Sequence, residues 1–454
     1  MASRSIHPSP LPMTEGDPLL AVSIRRNAGL KKWLLIGIAS AVLFTLGIVS
    51  FSILERKKNG IVNQILKKDT SLVGDASKDG FAKLDENLVF YDEFKSSSSL
   101  YTGVWNAQHT MDGGGNAEFQ YYTDSPKVLF VNTSDDTLRI KPGLFKDLPP
   151  IKGVSALDVM MGECSPYPEC ATYKIPDCTT DEGCLFTGDP LNIIKPTISA
   201  QITTKGVFAF QYGRLEMRAR LPRGYWLWPG LWMMPENSLY GGWPNDGEID
   251  LVESTGNPIG YMDDGKEIGR DSIISTLHMM GNAFWKTQVR TTGIDWTEDF
   301  HTFGLYWSDI EMYTYYYDDD GNEVKMIDLS AENGGYRNGF GRPPYGYDAN
   351  NTFDTSNPLH TTPDAHVYDG EPLSAPFNQP FYLILNVAVG GATTGCPDPD
   401  MWGLDAQWCK DCWPNCGQPQ TMFWKGRDQW YPSWLEADDI DKLSLAVDWV
   451  RIWQ

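Results

Sequence analysis

Histidine is scarce: six residues in 454, at positions 7, 109, 278, 301, 360 and 366. None forms an HExxH pair, which removes the zinc-peptidase reading. No GxxxxGK[ST] phosphate loop occurs, and DGGGN (Asp112 to Asn116) is too short and misplaced for a dinucleotide turn, so nucleotide and hydride chemistry drop out. Positive charge is short as well, 37 Lys and Arg against 59 Asp and Glu. A net charge of −22 excludes nucleic acid as a partner, because phosphates would be repelled, and suits an uncharged polymer. Long amphipathic helical patterns are missing, and so is any repeat of fixed period, which argues against α/β winding and against a propeller.

Aromatic residues are plentiful: 17 Trp, 16 of them beyond residue 100. Indole faces fill cores and stack on sugar rings alike, so the number alone decides nothing. One long apolar run exists, WLLIGIASAVLFTLGIVSFSIL from Trp33 to Leu54, 22 residues without a charge. At about 1.5 Å per residue it spans a hydrocarbon layer of roughly 30 Å. It exceeds the apolar part of a cleaved signal peptide, and no small-x-small cleavage site follows. The expected organisation is a cytosolic tail over 1–32, a transmembrane signal anchor over 33–54, a polar stalk over 55–85 and one domain over 86–454. Basic residues flank the run on both sides, so charge does not orient it. Two glycosylation sequons, at Asn132 and Asn350, and eight cysteines lie C-terminal to it, as an oxidising lumen or exterior requires. EGDPLL, Glu15 to Leu20, resembles an acidic dileucine sorting signal of the cytosolic side. The expectation is a single-pass type II membrane protein whose domain faces the cell exterior or the lumen of an endomembrane or vacuolar compartment.

The cysteines form two groups, Cys164, Cys170, Cys178 and Cys184, then Cys396, Cys409, Cys412 and Cys416. Even numbers within Pro/Gly/Asp-rich loops suggest two disulfides per group, with connectivity open. The zinc alternative rests on Cys409-x-x-Cys412 with Cys416 nearby, without a neighbouring histidine.

Strand signals dominate the domain: Val128 to Pro142, Gly213 to Leu221, His301 to Gly321, Pro380 to Gly391 and Ser444 to Trp453 are alternating or β-rich and end in turn residues. An all-β sandwich of two antiparallel sheets follows, with insertions around 164–190, 340–375 and 393–420.

On such a strand stands GGWPNDGEIDLVESTGN, Gly241 to Asn257, with three carboxylates, Glu248, Asp250 and Glu253, and no basic residue. Side chains alternate, so Glu248 and Asp250 share a face while Ile249 and Leu251 point into the core. Glu253 has the wrong parity. A bulge near Leu251 or Val252 would return it to the acidic face, and bulges are enriched beside active sites. Three converging carboxylates are also a calcium-type donor set, and metal binding stays open. Acidic strand residues are, moreover, commonly just a solvated face.

The flanks narrow the choice. GRLEMRARLPRGYWLWPGLWMMPENSLYGGWPNDGEIDLVESTGN resembles the laminarinase branch of glycoside hydrolase family 16. FYDEFKSSSSLYTGVWN with GGGNAEFQYYT is similar to that family's domain opening, NVAVGG and RDQWYPSW to its late strands and loop, and VDWVRIWQ to its closing strand. The likeness covers roughly 86–454, in the family's order. It implies a concave jelly-roll sandwich that hydrolyses internal β-1,3-glucosidic bonds with retention. Residue by residue it implies Glu248 as nucleophile, Asp250 as the carboxylate that orients it, and Glu253 as general acid/base, with the like charges raising the pKa of Glu253. It also places Trp228, Trp232 and Trp243 as sugar-stacking faces, Asn116, Glu216 and Arg218 as hydrogen-bonding partners of sugar hydroxyls, and His278 in the cleft. Core packing is the alternative for each Trp, and a structural ion pair for Glu216 with Arg218. The implied partner is a β-1,3-glucan, pure or mixed-linkage. No cofactor is needed for such catalysis, and a structural calcium stays open. Met279 stands where relatives have Trp or Tyr, and ATTGCPDPDMWGLDAQWCKDCWPNCGQPQ is a long insertion after NVAVGG. Two alternatives stand beside hydrolysis: a wall-remodelling transglycosylase that passes the sugar to an acceptor, and a glucan-recognition protein like relatives of this branch that have lost the carboxylates, a reading that the intact Glu248, Asp250 and Glu253 oppose.

Overall fold

Alternation builds this domain strand by strand. In Gly213–Arg220, Leu215, Met217 and Ala219 are fully buried while Arg214, Glu216, Arg218 and Arg220 take the other face. The computed structural model describes residues 88–95, 100, 103–163, 172–263, 266–267, 269–279, 283–290, 293–333, 335–336, 367–368, 370–391, 419–435 and 440–454. The expected tail, anchor and stalk lie outside the described residues, as do Cys164, Cys170, Cys396, Cys409, Cys412, Cys416 and Asn350. Among the described residues no helix is long and apolar enough to cross a membrane.

The larger sheet runs in the order Glu323–Leu329, Met312–Tyr317, His301–Trp307, Gly213–Arg220, Leu445–Trp453, Thr137–Ile140, Leu129–Asn132, with Leu88–Asp92 also paired to Leu445–Trp453. The second runs Ala283–Arg290, Ser272–Met279, Glu248–Ser254, Leu227–Pro235, Phe381–Val389, Gln201–Thr203, Asn106–Ala107. Both are antiparallel throughout, and together they make the expected sandwich. Two of the expected strands are in fact hairpins: Val128 to Pro142 breaks at the Asp135–Asp136 turn, and His301 to Gly321 breaks at Ser308–Glu311. Among the described residues three small sheets are added, one of which pairs Gln120–Tyr122 with Thr197–Ser199 in parallel.

The two layers meet through apolar side chains. Trp307 of the larger sheet stands edge-on to Phe381 of the second, with ring centroids 5.6 Å apart. One polar pair buried between the layers is satisfied: the Ser275 and Thr314 hydroxyls lie 2.9 Å apart. The strand Phe381–Val389 is buried along its whole length. Its odd-numbered residues enter the core, and its even-numbered ones, Tyr382, Ile384, Asn386 and Ala388, face the opposite way.

Short helices, not expected from the sequence, close one end: Pro419–Lys425, Arg427–Trp430 and Pro432–Leu435. None is long enough to display a helical period, so tertiary packing must hold them. Phe423 stacks on Trp430 at 4.3 Å and reaches Phe119 at 4.9 Å and Trp226 at 5.2 Å. Another unforeseen helix, Ala156–Met161, begins with Ser155, whose hydroxyl accepts from the Asp158 N–H at 3.1 Å, and ends at Gly162 with φ 72°.

Candidate active site

The acidic strand Glu248–Ser254 lies between Leu227–Pro235 and Ser272–Met279. On one side Glu248 stands opposite His278, Asp250 opposite Thr276, and Glu253 opposite Ile274, so two residues, Leu251 and Val252, face the single Ser275. On the other side Asp250 pairs with Trp232 and Val252 with Leu231, leaving Leu251 as the extra residue. This is the bulge that parity required. Leu251 and Val252 both enter the core, each 1% exposed, and alternation restarts with Glu253 on the face of Glu248 and Asp250.

The three carboxylates open into one cleft of about 170 Å³, whose lining includes Asn116, Glu118, Trp228, Trp232 and Asn386. Each carboxylate has its own support. The Trp243 indole N–H donates to Glu248 Oε2 at 2.5 Å, and the Trp228 indole N–H donates to Glu253 Oε1 at 2.8 Å. Asp250 is buried, with His278 Nε2 3.2 Å from its Oδ2 and the Ser275 hydroxyl donating to its main-chain oxygen at 2.6 Å. Burial pushes the Glu248 carboxyl up to about 8, Asp250 and Glu253 add to the rise, and His278 and the Trp243 N–H oppose it. Burial and an immediate carboxylate neighbour thus act together on Glu248, an effect that the sequence, which looked for like-charge crowding at Glu253, did not foresee.

Glu248, Asp250 and His278 also bring one donor atom each within 4.8 Å of one another. Two oxygens and an imidazole nitrogen are a poor match for calcium, which takes six to eight oxygens. These three atoms therefore do not make a calcium site.

The other expected residues divide. Asn116, Trp228 and Trp232 line the cleft. Trp243 is 57% exposed beside it, its ring 5.9 Å from that of His278. Glu216 and Arg218 are elsewhere. Their strand belongs to the larger sheet, and because Leu215, Met217 and Ala219 take the inward positions, both point to that sheet's outer face. Glu216 accepts from Arg214 Nη2 at 2.7 Å and from the Tyr315 and Tyr317 hydroxyls at 2.9 and 3.0 Å, while Arg218 pairs with Asp448. They are structural ion pairs, though not with each other.

Sequence reasoning missed the cleft floor. The Trp232 indole donates to Asn386 Oδ1 at 2.7 Å, and Asn386 Nδ2 donates to the Tyr122 hydroxyl at 2.9 Å. One sign was legible: Asn386 is the lone polar residue in the apolar run FYLILNVAV. Of the cysteines, Cys178 and Cys184 are bonded to each other, and their loop presents Thr180 to the cleft, 2.8 Å from the Thr110 hydroxyl. Asn132 ends a strand, with its side-chain oxygen accepting from the Ser134 N–H and hydroxyl at 3.2 and 2.9 Å.

Gly230, opposite Glu253, leaves room for this floor: a Cβ there would lie 2.9 Å from Asn386 Oδ1 and 3.0 Å from Trp232 Cδ1. Gly230→Ala is expected to force these side chains apart and weaken oligosaccharide binding about tenfold, with little change in unfolding temperature. Titration calorimetry and thermal unfolding check this; unchanged affinity would refute it.

A family profile, glycosyl hydrolases family 16, matches residues 177–336. The chain is 35% identical over 378 residues to a beta-1,3-glucan-binding protein of Penaeus monodon, covering 81% of this chain and 90% of that one. It is also 35% identical over 209 residues to a glucan endo-1,3-beta-glucosidase of Cryptopygus antarcticus, 45% of this chain and 59% of the relative. The solved laminarinase of Rhodothermus marinus aligns over 81% of this chain and 97% of its own at 22% identity, with a TM-score of 0.44. On the profile match and the Penaeus monodon relative, the chain belongs to glycosyl hydrolases family 16.

Proposed function

We propose that this protein hydrolyses internal β-1,3-glucosidic bonds of a glucan with retention of configuration, through a covalent glycosyl-enzyme. The observation that carries the reading is the bulge, which turns Glu253 onto the face of Glu248 and Asp250 over a cleft floored by Trp228 and Trp232. A bulge serving only the fold would have no need to gather like charges.

In this reading Glu248 attacks the anomeric carbon while Glu253 gives its proton to the departing glycosidic oxygen. The carbon–oxygen bond breaks and an ester to Glu248 forms. Glu253, now ionised, takes a proton from water, which attacks the same carbon and releases Glu248. Asp250, held beside His278, keeps Glu248 in place and shares its field. Burial, with Asp250 beside it, holds a proton on Glu248 at neutral pH. Positive charge growing at the anomeric carbon favours ionised Glu248 and leaves the proton on Glu253, so the carboxylates titrate as a unit. A concave jelly-roll groove would give an internal stretch of glucan access from both ends. The apolar run 33–54 would hold the domain on the outer or lumenal side of a membrane.

The test is product analysis with the full-length protein on a β-1,3-glucan, with and without an oligosaccharide acceptor. Shorter products of retained anomeric configuration are expected, with kcat/KM falling about tenfold per pH unit above about pH 8, where the cluster loses its proton. Transferred products in the presence of acceptor would make the protein a remodelling transglycosylase. The name of the Penaeus monodon relative favours a second reading, glucan binding without cleavage. Retention on insoluble glucan with no product from either reaction would establish that reading and end the hydrolase one.

A further inference from the structure

In the wall of the cleft lies a largely buried carboxyl that the bond chemistry does not use. Glu118 is 6% exposed and sits under the Asp112–Asn116 loop so closely that a Cβ on Gly114 would lie 2.5 Å from its Oε1. Its carboxyl accepts from Gln120 Nε2 at 2.5 Å, and from Asn116 Nδ2 and the Tyr122 hydroxyl at 3.5 Å each. Tyr122 in turn receives Asn386 Nδ2 at 2.9 Å, and Asn386 receives the Trp232 indole at 2.7 Å. Gln120 is also fastened, its Oε1 accepting from the Val389 N–H at 2.8 Å. The chain of bonds thus joins one buried acid to the Asn116 amide on one side and, through Tyr122 and Asn386, to the Trp232 indole on the other.

We propose that Glu118 is a positioning residue for the sugar: it fixes the Asn116 amide directly and the Trp232 indole through Tyr122 and Asn386, so that its charge governs how tightly a glucan is held. This deepens the glucan reading and rests on it. An ionised carboxylate accepts only, which matches three donors; a protonated one must spend a hydrogen and releases part of the set. The charged and titratable groups facing Glu118 are Asp112 from the preceding loop, Tyr122 from the strand that follows, and Lys195, whose ammonium donates to the Glu118 main-chain oxygen; Glu248, Asp250 and Glu253 line the same cleft. Burial pushes Glu118 up to about 7, against the opposing pull of Gln120, Asn116 and Lys195, so the switch falls near neutrality.

The experiment titrates laminarihexaose by calorimetry into the full-length Glu248→Gln protein, which should not turn it over, from about pH 5 to about pH 9. Affinity is expected to fall about tenfold as pH drops through about 7. With Glu118→Gln added, the weaker affinity should hold at all pH and the step should vanish; with Tyr122→Phe added, the step should remain while affinity drops several-fold. In the Glu248-intact background, Glu118→Gln should raise KM far more than it lowers kcat. Because the amide need not be stripped of a charge on burial, Glu118→Gln should unfold no lower than its parent at about pH 8. Persistence of the pH step without Glu118, or affinity lost only together with unfolding temperature, would overturn the proposal. No binding of laminarihexaose by any variant would instead overturn the glucan reading on which it stands.

Discussion

Replacing Glu248 by glutamine is expected to lower kcat on β-1,3-glucan by about five orders of magnitude, the range seen when a nucleophile is removed from an otherwise intact site. The amide keeps the size of the carboxyl and can still accept the Trp243 N–H, but cannot form the ester. The protein should not be weakened. A carboxyl raised to about 8 in the fold, from an unfolded value of 4.5, binds more protons folded than unfolded. Its contribution is therefore fully favourable below about 4.5 and declines as pH rises, becoming a full cost above about 8. Glutamine escapes that cost, so the variant should match or exceed the parent in unfolding temperature at alkaline pH. Glu253→Gln should lose about two to four orders in kcat, less for substrates with a good leaving group that needs no proton. Initial rates of product release decide both. Glu248→Gln activity within tenfold of the parent would remove Glu248 as nucleophile.

Trp430→Ala is expected to cost about 3–5 kcal/mol of stability. Trp430 is fully buried, stacked on Phe423 and 5.0 Å from Trp434, with its indole N–H donating to the Phe423 carbonyl at 2.9 Å. Truncation leaves a cavity of aromatic size and an unpaired buried oxygen, and the two costs add. The three short helices have too few residues to persist without this packing. Phe423 also abuts Phe119, the neighbour of Glu118, and Thr421 receives the Ile193 N–H at 3.1 Å, two residues before Lys195. Loosening the helices should therefore weaken sugar binding at the Asn116 end more than it slows bond cleavage. Denaturant unfolding gives the first quantity, and KM against kcat at low temperature gives the second. A loss below about 1 kcal/mol would mean that this helical cover is not part of the cooperative fold.

Much of the molecule could be read from the chain because the signals were local. The five quoted strand segments alternate or are β-rich, and all five form strands, two of them as hairpins. The need for a bulge also followed from parity: with a single residue between Asp250 and Glu253, alternation alone would have sufficed. What failed was assignment between sheets. Glu216 and Arg218 have the composition of a sugar-binding pair, yet nothing local says which layer their strand joins. The pairing of Gly213–Arg220 with His301–Trp307 and Leu445–Trp453 sends them to the outer face.

The sequence by itself determined the all-β class, the shared face of Glu248 and Asp250 and the condition under which Glu253 could join them, since each depends on residues within one strand. Only the tertiary structure decided that the bulge falls at Leu251, that burial raises the Glu248 carboxyl, and that Glu118, Tyr122, Asn386 and Trp232 form one hydrogen-bonded network. Those outcomes depend on burial and on strands far apart in sequence, Asn386 lying 264 residues from Tyr122, and no local pattern encodes the dielectric or the partner that such distant segments supply.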